Sequence, residues 1–154
     1  FNKNPQVLRD LLASERMLPG LGDAGAHLAG VMGASYSTFT LCHWSRDTGA
    51  MSLPEAIRRL TSAPADLLGL PDRGRLSVGA AADINVIDLE RLASLAVETV
   101  YDAPLGAPRL IQRARGYPAT LVNGTSILLD DQHTGAHAGG VIRSFSRERV
   151  QAMV

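Results

Sequence analysis

The chain has 154 residues, 45% of them hydrophobic and 19% charged, which suits one ordinary globular domain or a piece of a larger one and argues against disorder. Fifteen Lys and Arg balance fifteen Asp and Glu, so no bulk field recruits nucleic acid or cations and any function must be local. The single cysteine, Cys42, excludes an internal disulfide framework and favours a reducing compartment. No apolar run approaches the roughly 18 residues of a membrane span, and no charged-then-apolar leader opens the chain, so neither membrane nor nucleic acid is an expected partner and the expected location is cytoplasmic. The chain opens on Phe1 and a polar stub, Asn2-Lys3-Asn4-Pro5, which reads as a fragment or a processed chain.

Val7, Leu8, Leu11 and Leu12 fall at helical spacing and predict a short amphipathic helix over Gln6 to Ser14, stopped before Pro19 and Gly20. Leu18 to Leu21 reads as a short buried strand leading into Leu21-Gly22-Asp23-Ala24-Gly25-Ala26-His27-Leu28-Ala29-Gly30. In that run a carboxylate and an imidazole stand four apart among Gly, Ala and Leu, which permit close backbone approach but offer no polar side-chain partners. Thr38 to Asp47 predicts a helix. Ser52-Leu53-Pro54-Glu55 is a capping box with Pro just inside the start, ahead of Ala56, Ile57 and Leu60. Pro64 breaks or restarts that helix and Gly69 ends it.

Beyond Gly74 the pattern turns to strands: Arg75 to Val78, then the alternating Asp83 to Asp88. Leu89 to Val97 reads as a helical turn, and Val100 to Pro118, with Pro104, Gly106, Pro108 and Gly116, as an irregular excursion. Ala119 to Val122 and Thr125 to Leu129 flank Asn123-Gly124, a strong hairpin signal. The strands from Ile84 to Ile87 and from Leu121 to Leu129 are expected in one small sheet, whose edge needs a partner from outside the chain. His133 to Gly140 is a Gly-rich tail.

The run Arg59-Leu60-Thr61-Ser62-Ala63-Pro64-Ala65-Asp66-Leu67-Leu68-Gly69-Leu70, then Arg73-Gly74-Arg75-Leu76, Gly79, Ala82-Asp83 and Val86-Ile87-Asp88, closed by Val122-Asn123-Gly124, resembles the carboxyl-terminal signature of the amidohydrolase superfamily. Gly22-Asp23-Ala24-Gly25-Ala26-His27, the loop through Tyr36 and Trp44, and His133-Thr134-Gly135-Ala136 resemble its D-aminoacylase type. The resemblance implies an α/β fold: the last strand-helix part of a (β/α)8 barrel over 1–72, strands of a small β-sandwich domain over 73–132, and a tail over 133–154. It implies only the last part of a larger fold, and a metal-dependent hydrolase acting on the amide bond of an N-acyl D-amino acid or a similar small molecule. One or two zinc ions are implied, most of whose ligands have no counterpart in this chain, so the isolated chain is expected to be catalytically incomplete.

Asp23 matches the family's catalytic acid/base beside the metal, and His27 a substrate contact. Gly22 stands where the common form has Ser. The alternative for Asp23 is a turn or helix-cap aspartate, and for His27 a structural histidine or a metal ligand. Bland readings are preferred elsewhere. His43 and Phe39 make a packed helix face, His133 and His137 lack the helix a zinc pair would need, and Cys42 is a buried small hydrophobe. Asp83 pairs with backbone at a strand entry, and Tyr36 and Trp44 are core residues before they are pocket walls. The expected partners are the small-molecule substrate and either the missing N-terminal part or another copy of the chain. The rival reading is a non-catalytic assembly or partner-binding module.

Overall fold

A computed structural model of the chain describes residues 4–20, 22 and 33–142. Helix α1, Pro5–Ala13, opens where the Asn4 side chain accepts the Gln6 N–H at 3.0 Å and Pro5 takes the first turn, whose amide needs no partner. None of its residues is buried. Leu18 to Gly20 is irregular backbone rather than strand.

The helix expected over Thr38 to Asp47 is present in a different winding. Helix α2, Tyr36–Phe39, passes into a π-helix, Thr40–Asp47. Thr40 Oγ1 donates back to the Tyr36 carbonyl at 2.8 Å, and Thr48 closes the far end with its N–H and its hydroxyl, both on the His43 carbonyl, at 3.0 and 2.8 Å. Hydroxyls that bond the preceding turn loosen the i→i−4 ladder, and a π-turn is one outcome.

Ser52 caps helix α3, Leu53–Leu60, by accepting the Glu55 N–H at 3.4 Å, and Pro54 sits in its first turn. Thr61 (φ −129°, ψ −84°) breaks it, and helix α4, Ser62–Leu68, follows. Gly69, at φ 67°, ends α4, with the Leu70 N–H on the Ala65 carbonyl at 2.8 Å.

Strands β1 (Ile84–Val86), β4 (Ala119–Val122), β5 (Thr125–Leu129) and β6 (Gln132–His133) form one antiparallel sheet in the order β1-β4-β5-β6, as expected of the two segments placed together from sequence. Ile84 pairs with Leu121 and Val86 with Ala119. Asn123 and Gly124 both take positive φ, 49° and 81°, the geometry a two-residue hairpin requires.

Further expectations are corrected. Ala93–Val100 is strand β2, not a helical turn, and Arg109–Arg115 inside the supposed irregular excursion is strand β3, its antiparallel partner. Pro104 and Gly106 are confined to a 3₁₀ turn between them, and Asp102 closes the loop with two hydrogen bonds from Arg109, at 2.5 and 2.7 Å. The short-range pattern of Leu89 to Val97 carried no information about a partner so far along the chain. Arg75 to Val78 is turn and coil, because Leu76 and Val78 have nothing to pack on and stay 82% and 100% exposed.

The core lies where the helices meet the sheet. Leu41, Cys42, Met51, Ala56 and Leu92 are buried together, with Leu12, Leu60, Ile87 and Tyr117 packed on them. Gly74 (φ 75°) lies so close to α3 and α4 that a Cβ there would stand 2.7 Å from the Thr61 carbonyl oxygen.

Candidate functional site

Asp23 and His27 lie outside the described residues, so their expected roles are carried forward as a proposal. What is described is the frame on either side of them. Gly22 packs against Gly33, and a Cβ at Gly22 would stand 2.3 Å from the Gly33 carbonyl oxygen. Any side chain at position 22 would therefore collide with this backbone, which is a physical reason for glycine there. Ahead of it, the guanidinium of Arg59, 4% exposed, reaches the carbonyls of Leu12, Ser14 and Met17 while its Nε donates to Glu55 Oε1 at 2.5 Å.

A groove of about 420 Å³ opens between α2, α3 and β1, walled by Tyr36, Leu41, Ile57, Leu60, Asn85 and Tyr117. Tyr36 thus lines a cavity, half-exposed, whereas Trp44 meets Phe39 and His43 edge-on at 6.2 and 4.7 Å between ring centroids. Tyr117, on the groove's wall, shares a hydrogen bond of 2.8 Å with the hydroxyl of the buried Thr38 behind it, and burial pushes the Tyr117 phenol above its ordinary pKa.

The bland readings of His43 and Cys42 hold. His43 stacks on Phe39 at 4.7 Å, one turn apart on the same helical face, rather than pairing with a second ligand, although Phe39 itself stays exposed. Cys42 is buried with its S–H on the Leu92 carbonyl at 3.0 Å, and burial raises its pKa, which disfavours the thiolate. His133, at the end of β6, and His137, in the irregular backbone beyond it, come to 5.9 Å between centroids without a helix, and His133 Nδ1 accepts the Gly135 N–H at 2.9 Å. Among the described residues no three His, Cys, Asp or Glu side chains converge on a point that could hold a metal ion. Those residues therefore supply no ligand set.

Asp83 does pair with backbone at the strand entry, and with more besides. Its Oδ1 accepts the Asn123 N–H at 2.8 Å and its Oδ2 is hydrogen-bonded to Arg73. Arg73 also donates to Asn123 Oδ1 at 3.2 Å, and Asn123 Nδ2 donates to the Ala138 carbonyl at 2.9 Å. The Arg-Gly, Ala-Asp and Asn-Gly elements of the sequence signature are thus a clasp joining the post-helical loop, the sheet and the tail. Sequence reasoning missed Arg59: the Glu55-to-Arg59 spacing signals an i,i+4 ion pair, but nothing local reveals three carbonyls more than 40 positions away.

Residues 16–127 match the Amidohydrolase family, and the chain belongs to it. It is 33% identical over 102 residues to the D-aminoacylase of Alcaligenes xylosoxydans xylosoxydans, covering 66% of this chain and 19% of that one. Likeness to the N-acyl-D-glutamate deacylase of the same organism is 36% over 90 residues, 58% of this chain and 17% of the relative. A dihydroorotase of Bacillus caldolyticus is 40% identical over 81 residues, 52% of this chain and 19% of that one. A D-aminoacylase crystal structure superposes with a TM-score of 0.53 at 31% identity, over 67% of this chain and 20% of that chain. A D-aminoacylase mutant in complex with copper chloride superposes at 0.55, also at 31%, over 70% and 21%. The fold is a mixed α/β amidohydrolase fold of the D-aminoacylase type, and the chain spans about one fifth of the length of these relatives.

Proposed function

We propose that the chain is the carboxyl-terminal portion of a zinc-dependent amidohydrolase that removes the acyl group from an N-acyl D-amino acid or a similar small molecule. Residues 1–72 are assigned to the end of a (β/α)8 barrel, 73–132 to strands of a small β-sandwich domain and 133–154 to a tail. The observation that carries the reading is the family match over residues 16–127, a stretch that includes Asp23, His27 and the clasp, beside the likeness to two deacylases. Active sites of such barrels gather at the carboxyl ends of their strands, where a carboxylate in a Gly- and Ala-rich loop can approach a substrate closely.

In this reading Asp23 accepts a proton from the attacking water and returns it to the leaving nitrogen, and His27 holds the substrate. Zinc, when bound, supplies Lewis acidity, with Asp23 as this chain's contribution and the other ligands from outside it. The isolated chain is then inactive. The rival, a non-catalytic assembly module, draws on the exposure of Leu76, Val78, Tyr101 (71%) and Leu105 (107%), which suits a surface that another chain covers. Metal analysis and an amidase screen with N-acyl D-amino acids, run on the longer protein that carries this chain, test the proposal. Hydrolysis dependent on stoichiometric metal supports it, and a metal-free protein inert to every acylated amino acid leaves the assembly module.

A further inference from the structure

Arg59 is the one charged side chain that is buried among the described residues. A guanidinium taken out of water is costly unless it finds acceptors, and here Nε donates to Glu55 while the two N–H groups of Nη1 are shared among three backbone carbonyls. The carbonyls of Leu12 and Ser14 belong to the end of α1 and its cap, where a helix leaves unpaired acceptors and the negative end of its dipole. No basic residue in the last turn of α1 serves that end. The third carbonyl, that of Met17, is 3.3 Å from Arg59 Nη1 and lies on the strap that follows. Between Met17 and the Gly22–Gly33 contact stand only Leu18, Pro19, Gly20 and Leu21, and Pro19 removes one of the few free dihedrals.

We propose that Arg59 is a positioning residue for the hydrolysis: by gathering the carbonyls of Leu12, Ser14 and Met17 it fixes the strap that delivers the chain to Gly22 and Asp23. The inference rests on the reading of Asp23 as proton shuttle, and it adds a residue of α3 that acts on the site through the backbone. Arg is required rather than Lys, because a planar fork can serve Glu55 and several carbonyls at once while an ammonium is a single point charge.

The test compares Arg59→Lys and Arg59→Gln with Arg58→Gln, which alters an exposed neighbour on the same Glu55. Both the longer enzyme and the 154-residue chain are used. In the enzyme, kcat on an N-acyl D-amino acid should fall by about 10-fold to 100-fold in Arg59→Lys and further in Arg59→Gln, with KM and metal per chain unchanged. In the chain, the backbone amides of residues 14–20 other than Pro19 should exchange faster in both Arg59 variants and at the parental rate in Arg58→Gln. Parental kcat in the folded fraction of Arg59→Lys makes Arg59 merely structural and overturns the proposal, even if Arg59→Gln does not fold. Unchanged exchange at 14–20 overturns it as well. An enzyme inactive before any substitution would end the deacylase reading, and the exchange measurement would then decide the anchor by itself.

Discussion

Arg46 and Arg59, on neighbouring helical elements, each direct a guanidinium at main-chain carbonyls. Arg46 Nη1 reaches those of Leu89 and Leu92 at 2.8 and 2.7 Å. Glu55 is held between Arg58 and Arg59, and their hydrogen bonds lower its carboxyl from 4.5 to about 2. Because the folded-state value is depressed, the contribution is complete above the unfolded value and is lost as the pH falls from about 4.5 towards 2. Glu55→Gln should therefore lower the thermal midpoint near neutrality, and the difference from the parent should shrink as the pH falls through that window, which flattens the acid limb of the profile. At Asp23 the expectation is kinetic: Asp23→Asn in the longer enzyme should lower kcat by about 100-fold to 10,000-fold with little loss of metal or thermal midpoint. His27→Ala should act chiefly on KM if His27 grips ground and transition states alike. A turn-forming Asp23 would reverse the pattern, with a lower midpoint and kcat within about threefold of the parent.

Elements are joined by the clasp of Arg73, Asp83 and Asn123, and the joint is polar. Asp83→Ala removes an acceptor from the Asn123 N–H and leaves Arg73 with a weaker partner, a loss of about 1 to 2 kcal/mol in chemical denaturation. The same substitution should loosen the tail, seen as faster exchange near Ala138, because Asn123 also holds that carbonyl. Gly74→Ala attacks the joint between α3, α4 and the loop. It combines a positive φ with a Cβ 2.7 Å from the Thr61 oxygen, so a cost of about 1 to 3 kcal/mol is expected. If either variant unfolds at the parental denaturant midpoint, the clasp and the close approach are not what hold these elements together.

For the whole molecule, the described part of the chain has one modest core and several open surfaces. The sheet of β1, β4, β5 and β6 is separate from the β2–β3 pair, and both have edges. Two-stranded ribbons are marginal in water without something to pack against. Zinc titration of the isolated chain by calorimetry should reveal no tight stoichiometric site, since Asp23 and at most one imidazole fall short of the three protein ligands of a catalytic centre. A tight one-to-one zinc site would refute the assignment of the remaining ligands to sequence outside the chain.

The helices α1, α3 and α4 and the β4–β5 hairpin could be read from sequence because their causes are local: caps, apolar spacing, Gly69 at a helix end, and Asn123-Gly124 between strands. The family signature was legible for the same reason, as an ordered string of residues from Arg59 to Gly124. Its physical meaning was not, since a clasp exists only once Arg73, Asp83 and Asn123 are folded together across 50 positions. β2 and β3 were lost to local reading because what makes them strands is each other, across a Pro- and Gly-containing loop that suggested disorder of pattern. The π-winding of Thr40–Asp47 and the burial of Arg59 belong to the same class. Sequence determined which segments coil, turn and pair with near neighbours, because propensity and spacing act over a few residues. Tertiary structure alone decided which carbonyls a buried guanidinium would serve and which strands would meet, because those energies arise only when distant parts of the chain exclude water from one another.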